Sequence, residues 1–128
     1  MSELDDVIVI KQKIKLGKKE LEHRDLTLYD LCDLKSYIKD LIEKEYKENM
    51  ELAETIEDKT LRIKAMSETT FYHLQRKRSP ESCDLADSVE VHVYMLYLAL
   101  DKKIKLSECS KWATKENLAI IQGQVEKN

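Results

Sequence analysis

The stretch LGKKELEHRDLTLYDLCDLKSYI, which covers Leu16–Ile38, decides the fold of this chain. An alternating segment turns at Gly17, returns over Leu21 and His23, and enters an amphipathic helix at Thr27. This order predicts a small two-stranded element set against helices. No step of it places a nucleophile, a metal ligand or a phosphate-binding loop, so the pattern favours a protein that binds another protein.

The segment before the turn, Val7 to Leu16, has the alternation of a half-buried strand. Its apolar residues occupy even-numbered positions, interrupted at Gln12, and its lysines occupy odd-numbered ones. Lysines on the exposed side would also discourage another strand from pairing with the edge of the hairpin. The apolar set is Ile8, Ile10, Ile14 and Leu16, and the lysines are Lys11, Lys13 and Lys15. We therefore predict a β-hairpin over residues 1–25, which must lie on helices or pair with another chain because an isolated hairpin is marginal in water.

The first helix has a clear start signal and a poorly marked end. Thr27 can act as N-cap, and Asp30 three positions later can complete a capping box. The apolar residues that follow at helical spacing are Leu28, Leu31, Leu34, Ile38, Leu41 and Ile42. We predict that this helix runs to about Tyr46 and breaks within Tyr46–Glu51, where apolar content is low.

A second helix is predicted over about Met50 to Lys77, although its periodicity is poorer. Its apolar positions are Leu52, Ile56, Ile63, Met66 and Leu74. Thr69-Thr70-Phe71-Tyr72 is weakly helical, and the sequence leaves open whether residues 43–78 are ordered without a partner. Ser79-Pro80 is the one firm break and a good helix start, so a third helix is predicted over about Pro80 to Leu100.

Two shorter helices complete the predicted chain. Ser107 caps one that reaches about Trp112, and Thr114 caps the last, which carries Leu118, Ile121 and Val125. The predicted fold class is mainly α, with about four to five helices and an N-terminal β-hairpin. We predict a single domain over residues 1–128, with a hairpin at 1–25, a first helical part at 27–77 and a second at 80–126.

Composition excludes several classes of function. Of 128 residues, 37% are charged, and the net charge of −3 gives the whole chain no electrostatic reason to bind nucleic acid. The three cysteines stand far apart with no metal-binding or redox spacing, and no export signal or bilayer-spanning run is seen. We therefore predict reduced thiols, no cofactor, no metal ligand, no membrane association and a cytoplasmic location.

The sequence gives little support for an enzymatic function. His23 lies near Asp25, Asp30 and Asp33, but general acid–base work needs a cleft and a perturbed pKa. His92 falls within the most apolar helix, where a core histidine is favoured over a ligand. We predict that the chain is not an enzyme, and we assign no catalytic, cofactor-binding or metal-binding residue.

Two binding functions remain as candidates: nucleic-acid binding and protein binding. Arg76-Lys77-Arg78 beside Phe71-Tyr72-His73 pairs charge with aromatics, which are minimal ingredients for single-strand contact, but acids follow at once and disfavour it. Tyr94, Met95 and Tyr97 share one helix with Trp112 nearby, and such residues are enriched both at interfaces and in cores. The excess of amphipathic helix, which needs something to cover it, favours a protein partner.

Two segments resemble the small tail assembly chaperones of long-tailed bacteriophages. IKLGKKELEHRDLTLYDLCDLKSYI (Ile14–Ile38) is similar to their opening, with a strand, a Gly-Lys turn, a return strand and an LTL-x-DL helix start. VYMLYLALDKKIKLSECSKWATKENLAIIQGQV (Val93–Val125) resembles their later part, with an apolar helix ending near Leu-Ala-Leu and a Leu-Ser-x-Glu-like cap. The middle, Glu43 to Arg78, matches nothing in that family, and Lys102-Lys103-Ile104 departs from its usual pattern.

The resemblance implies a non-enzymatic chaperone in the host cytoplasm that binds the long helical tape-measure protein during tail morphogenesis. It implies a contact face made of the hairpin edge and apolar helix positions, and it assigns no site residue. The alternative is a small helical adaptor or regulatory protein, such as a phage-encoded inhibitor of a host protein. A nucleic-acid accessory protein is less favoured, and homo-oligomerisation stays open.

Overall fold

A computed structural model describes residues 12–126 of the chain. Within this range the fold is mainly helical with an N-terminal antiparallel hairpin, which confirms the predicted fold class. The strands are β1 (Gln12–Leu16) and β2 (Lys19–His23). The helices are α1 (Leu28–Glu54), α2 (Lys59–Arg78), α3 (Val89–Ala99), α4 (Leu106–Ser110) and α5 (Lys115–Gln124), with 3-10 turns at Pro80–Ser82 and Asp84–Asp87.

The chain divides into two compact units. The hairpin unit comprises Met1–Cys32 and Val89–Asn128, and the two-helix unit comprises Asp33–Ser88. The single domain inferred from chain length stays a prediction.

The hairpin has the alternation that its sequence predicts. Ile14 and Leu16 are buried while Lys13 and Lys15 are exposed, and Leu16 pairs with Lys19 across a two-residue turn. Gly17 has a φ of 65°, at the first central position of the turn, where a left-handed residue matches the twist of the strands. The part of the predicted strand at residues 7–11, including Ile8 and Ile10, lies outside the described residues.

Gly17→Val tests the turn. A Cβ at Gly17 would meet nothing within 4 Å, so the cost comes only from the left-handed backbone, about 1–2 kcal/mol of unfolding free energy. Urea unfolding followed by the fluorescence of Trp112, the only tryptophan, measures it. Gly123→Ala is the opposite control: it removes a helical glycine in α5 with open space around it, and should stabilise by up to about 1 kcal/mol. An unchanged midpoint for Gly17→Val would contradict this account of the turn.

The capping box at the start of α1 is present as predicted. The Asp30 amide donates to the Thr27 hydroxyl oxygen (3.1 Å), and the Thr27 amide donates to the Asp30 carboxylate (2.8 Å). The start of α1 is therefore set by two local hydrogen bonds, which satisfy backbone amides that would otherwise be unpaired.

The predicted break at Tyr46–Glu51 is wrong, because α1 continues to Glu54. The residues there are mostly straight-chain helix formers, which hold a helix without an apolar stripe. The chain breaks at residues 55–58 instead, where Asp58 caps α2 by accepting from the amide of Leu61 (3.0 Å). Helices α1 and α2 together cover residues 43–54 and 59–78, so the segment 43–78 is helical except at residues 55–58.

The third predicted helix is too long. Ser79-Pro80 starts a 3-10 turn with proline at its first position, and Cys83 and Ser88 are extended, so α3 begins only at Val89. Neither 3-10 turn has a side-chain cap hydrogen bond, so the start signal at Ser79-Pro80 does not propagate into a longer helix.

The C-terminal helices complete the core of the hairpin unit. Thr114 caps α5 as predicted, accepting from the Asn117 amide (3.1 Å), whereas α4 begins at Leu106 with Lys105 at its N-cap, so Ser107 is not the cap. The buried core combines the two buried residues of β1 with residues in or directly after α3, α4 and α5. Its members are Ile14, Leu16, Val93, Leu96, Ala99, Leu100, Cys109, Ile121 and Val125.

Candidate partner-binding surface

Helix α2 buries a polar side chain and leaves its large apolar ones in solvent. Its one buried residue is His73, whose ring stacks on Tyr46 of α1 with centroids 3.9 Å apart. The His73 Nε2 lies 3.7 Å from the Glu43 carboxylate. Around His73 the contact between α1 and α2 is therefore made by polar and aromatic groups.

Arg76 strengthens the same polar side of α2. Its guanidinium donates to both carboxylate oxygens of Asp84 (2.8 and 2.7 Å) and lies 3.4 Å from Glu45. The hydrogen bonds with Asp84 raise the pKa of Arg76, and those with Arg76 lower the pKa of Asp84. Lys77 is 3.6 Å from Glu43. Two members of the basic run Arg76-Lys77-Arg78 are thus paired with acids, which leaves less charge for phosphate than the sequence indicates.

The outward side of α2 carries what we call the apolar stripe, defined as Ile63, Phe71 and Leu74. These side chains are 54–58% exposed, and their spacing of eight and three residues places them on one face. Leu61 and Tyr72 are exposed to a similar degree on a different line of the same helix. Ile63 and Leu74, whose spacing helped to predict this helix, are exposed, because the side of α2 that packs on α1 is centred on His73.

A second exposed apolar group lies at the start of α1 in the hairpin unit. Leu28 and Tyr29 are 82% and 81% exposed, and Leu31 is about half exposed. Large apolar side chains at this exposure are common singly on soluble proteins, whereas a contiguous set indicates a contact site.

The aromatics singled out in α3 serve the core instead. Met95, Tyr97 and Trp112 are partly buried and pack against the core cluster of the hairpin unit, and Tyr94 lies beside Tyr97 with ring centroids 5.6 Å apart. These residues therefore contribute mainly to stability. The exposed apolar surface comes from other helices, which residue type alone did not indicate.

Among the candidate acid–base residues near His23, Asp30 serves a structural role. Asp30 pairs with Arg24, which also binds Asp101 at the end of α3. Burial alone would raise the pKa of Asp30, but hydrogen bonds from Arg24 and Thr27 outweigh it and hold that pKa below its ordinary value. His23 is buried, with Nδ1 3.3 Å from the Arg24 carbonyl oxygen. These contacts join the end of β2 to the start of α1 and to the end of α3.

His92 and the cysteines are separate from these contacts. The His92 Nδ1 lies 2.7 Å from the Glu126 carboxylate, and its Nε2 is 3.3 Å from the Gln122 amide nitrogen. Cys109 is buried, which raises the pKa of its thiol, while Cys32 is exposed. Across residues 12–126 no three His, Cys, Asp or Glu side chains are grouped to hold a metal ion.

No helix in the described range has both the length and the apolar character needed to cross a bilayer. Comparisons with protein families, curated proteins and solved structures return no match to this chain.

Proposed function

We propose that this protein is a non-enzymatic tail assembly chaperone of a long-tailed bacteriophage, which acts in the host cytoplasm and binds the tape-measure protein through the apolar stripe of α2. The observation that carries the proposal is the packing of α2, in which His73 is buried while Ile63, Phe71 and Leu74 stand in solvent. Exposed apolar area on a helix is stabilised when a partner covers it.

The family resemblance, which lies in Ile14–Ile38 and Val93–Val125 and not in α2, indicates the partner. A very long amphipathic protein exposes aggregation-prone surface until tail subunits enclose it. Reversible cover by a short helical protein solves that problem through apolar contact alone, and it requires no reacting group.

A small helical adaptor is the second candidate, and one observation favours it. Leu28 and Tyr29 of the hairpin unit form a second exposed apolar group, separate in sequence from the apolar stripe. A protein with two contact sites can join two partners. The two candidates differ in whether one long helical partner or two different proteins are bound.

Co-expression tests the proposal. We expect a long helical protein encoded next to this gene to become soluble and to co-purify with the wild-type chain. Phe71→Ala/Leu74→Ala should reduce its soluble yield at least about tenfold, because loss of two interface anchors of about 1–2 kcal/mol each weakens binding by that factor or more.

The matched control is Leu61→Ala/Tyr72→Ala. It also removes one leucine and one aromatic ring of similar exposure from α2, but outside the apolar stripe, so the soluble yield should stay near wild type. Both double variants replace exposed residues and should keep the unfolding midpoint of the chain. A partner that stays insoluble with the wild-type chain would refute the chaperone function, and equal loss in both variants would refute the assigned face.

A further inference from the structure

We propose that the apolar stripe binds an acidic amphipathic helix, so that the partner segment carries Glu or Asp on both sides of its apolar face. This inference rests on the proposed function, because it takes a helical protein as the partner and specifies the chemistry of the bound segment. It follows from the charges that border Ile63, Phe71 and Leu74.

The charge of α2 is predominantly positive. Its basic residues are Lys59, Arg62, Lys64, Arg76, Lys77 and Arg78, and Glu68 is its one acid. At about 100° per residue, the apolar stripe together with Lys59, Lys64 and Arg78 fits within a sector of about 140°, and Glu68 falls outside it. The positions that border the exposed apolar face are therefore mainly positive, and Glu68 lies about 40° beyond Lys64.

The bordering cations are available to a partner. Lys59, Lys64 and Arg78 are exposed, and none of them forms an ion pair with another residue in the described range 12–126. Arg76 and Lys77, by contrast, are already paired with acids of the same unit. Carboxylates on a bound helix would meet three exposed cations, which gives such a helix an advantage over a neutral or basic one.

The middle of the apolar stripe fits a helix better than a lipid surface. Ser67 and Thr70 lie between Ile63 and Leu74, and the Thr70 hydroxyl donates to the Met66 carbonyl (3.0 Å). Because Ser67 and Thr70 are smaller than the apolar residues on either side, a leucine of a partner helix can pack between Ile63 and Leu74, as in helix-in-groove recognition. A membrane-binding face needs a continuous apolar surface, which these two polar residues interrupt.

A second copy of the chain is a poor occupant. Two copies of α2 placed stripe to stripe would bring their bordering lysines and arginines together, and like charges at an interface oppose association.

Fluorescence anisotropy with designed 21-residue peptides tests the inference. The acidic probe has Leu at the first and fourth positions of each of three heptads, with Glu and Ala elsewhere, and the basic probe has Lys in place of Glu. In 50 mM salt the wild-type chain should bind the acidic probe at least about tenfold more tightly than the basic one, equivalent to about 1.4 kcal/mol. A scrambled acidic probe of identical composition should not bind.

Variants assign the binding to this face. Lys59→Glu/Lys64→Glu/Arg78→Glu should reverse the preference between the two probes, and Phe71→Ala/Leu74→Ala should weaken both by at least about tenfold. Lys103→Glu/Lys105→Glu/Lys115→Glu makes the same charge change at exposed positions of the hairpin unit and should leave the preference unchanged.

Several outcomes would overturn the inference. These are equal binding of the acidic and basic probes, equal binding of the scrambled probe, or a dimer in solution that dissociates in Phe71→Ala/Leu74→Ala. Tighter binding to a 20-nucleotide single-stranded DNA or to phosphatidylserine vesicles than to the acidic probe, lost in the same variants, would assign the face to another ligand class. If the acidic probe is not preferred but the co-expressed partner is soluble, only the acidic chemistry of the partner segment is refuted. If the acidic probe is preferred but the co-expressed partner stays insoluble, the chaperone function is refuted.

Discussion

Leu96→Ala is expected to lower the free energy of unfolding of the hairpin unit by about 3 kcal/mol. Leu96 is fully buried in the middle of α3, among residues of β1, α4 and α5. Truncation removes apolar burial and leaves a cavity, and both losses add in a core that cannot collapse around the gap. Because a small domain has only about 5–15 kcal/mol of stability, this single change removes a large share of it.

Trp112 provides the measurement for Leu96→Ala. It packs against the same core, so its fluorescence during urea unfolding reports on the hairpin unit. Val89→Ala is the control on the same helix, since Val89 is about half exposed and its truncation should change stability by no more than about 0.5 kcal/mol. A loss below about 1 kcal/mol for Leu96→Ala would show that this core is not assembled as described.

Asp30→Ala is expected to cost about 3 kcal/mol at pH 7. The substitution removes the capping box of α1 and leaves the largely buried guanidinium of Arg24 without its principal partner. Loss of a cap costs about 1 kcal/mol, and breaking a buried ion pair adds a larger penalty for the charge left behind. Asp40→Ala is the control, because Asp40 is exposed on α1 with no ion pair in the described chain and should change stability by about 0.5 kcal/mol or less.

The pH dependence gives the Asp30→Ala prediction a second readout. The pKa of Asp30 is lowered in the folded chain, so its stabilising contribution is complete above the unfolded pKa of about 4 and disappears as the pH falls through the folded pKa. The stability difference between wild type and Asp30→Ala should therefore be constant from pH 5 to 7 and narrow below about pH 4. A difference that persists undiminished at pH 2 would contradict the ionic contribution of Asp30.

Local signals explain which parts of the fold were predictable from the sequence. The Gly17 turn, the alternation around Ile14, and the caps at Thr27 and Thr114 each depend on residues within a few positions of one another. The break between α1 and α2 was misplaced because low apolar content does not end a helix made of good helix formers. Asp58 was the better signal for that break, since its side chain caps the next helix.

Tertiary contacts explain what the sequence did not predict. Arg24 binds Asp101, 77 positions away, and no local pattern points to that pair. In the same way, Ile63 and Leu74 have the spacing of core residues, and their exposure becomes evident only once His73 is placed against Tyr46. The apolar stripe is therefore a finding of the three-dimensional structure, although the excess of amphipathic helix in the sequence does predict a partner.

The most direct test of the proposed binding mode is amide hydrogen–deuterium exchange of this chain alone and in complex with the co-purified helical partner. If the apolar stripe is the contact surface, exchange within residues 63–74 should slow at least about tenfold in the complex, while exchange in α5 stays unchanged. Unchanged exchange across α2, with slowing confined to the hairpin unit, would contradict it.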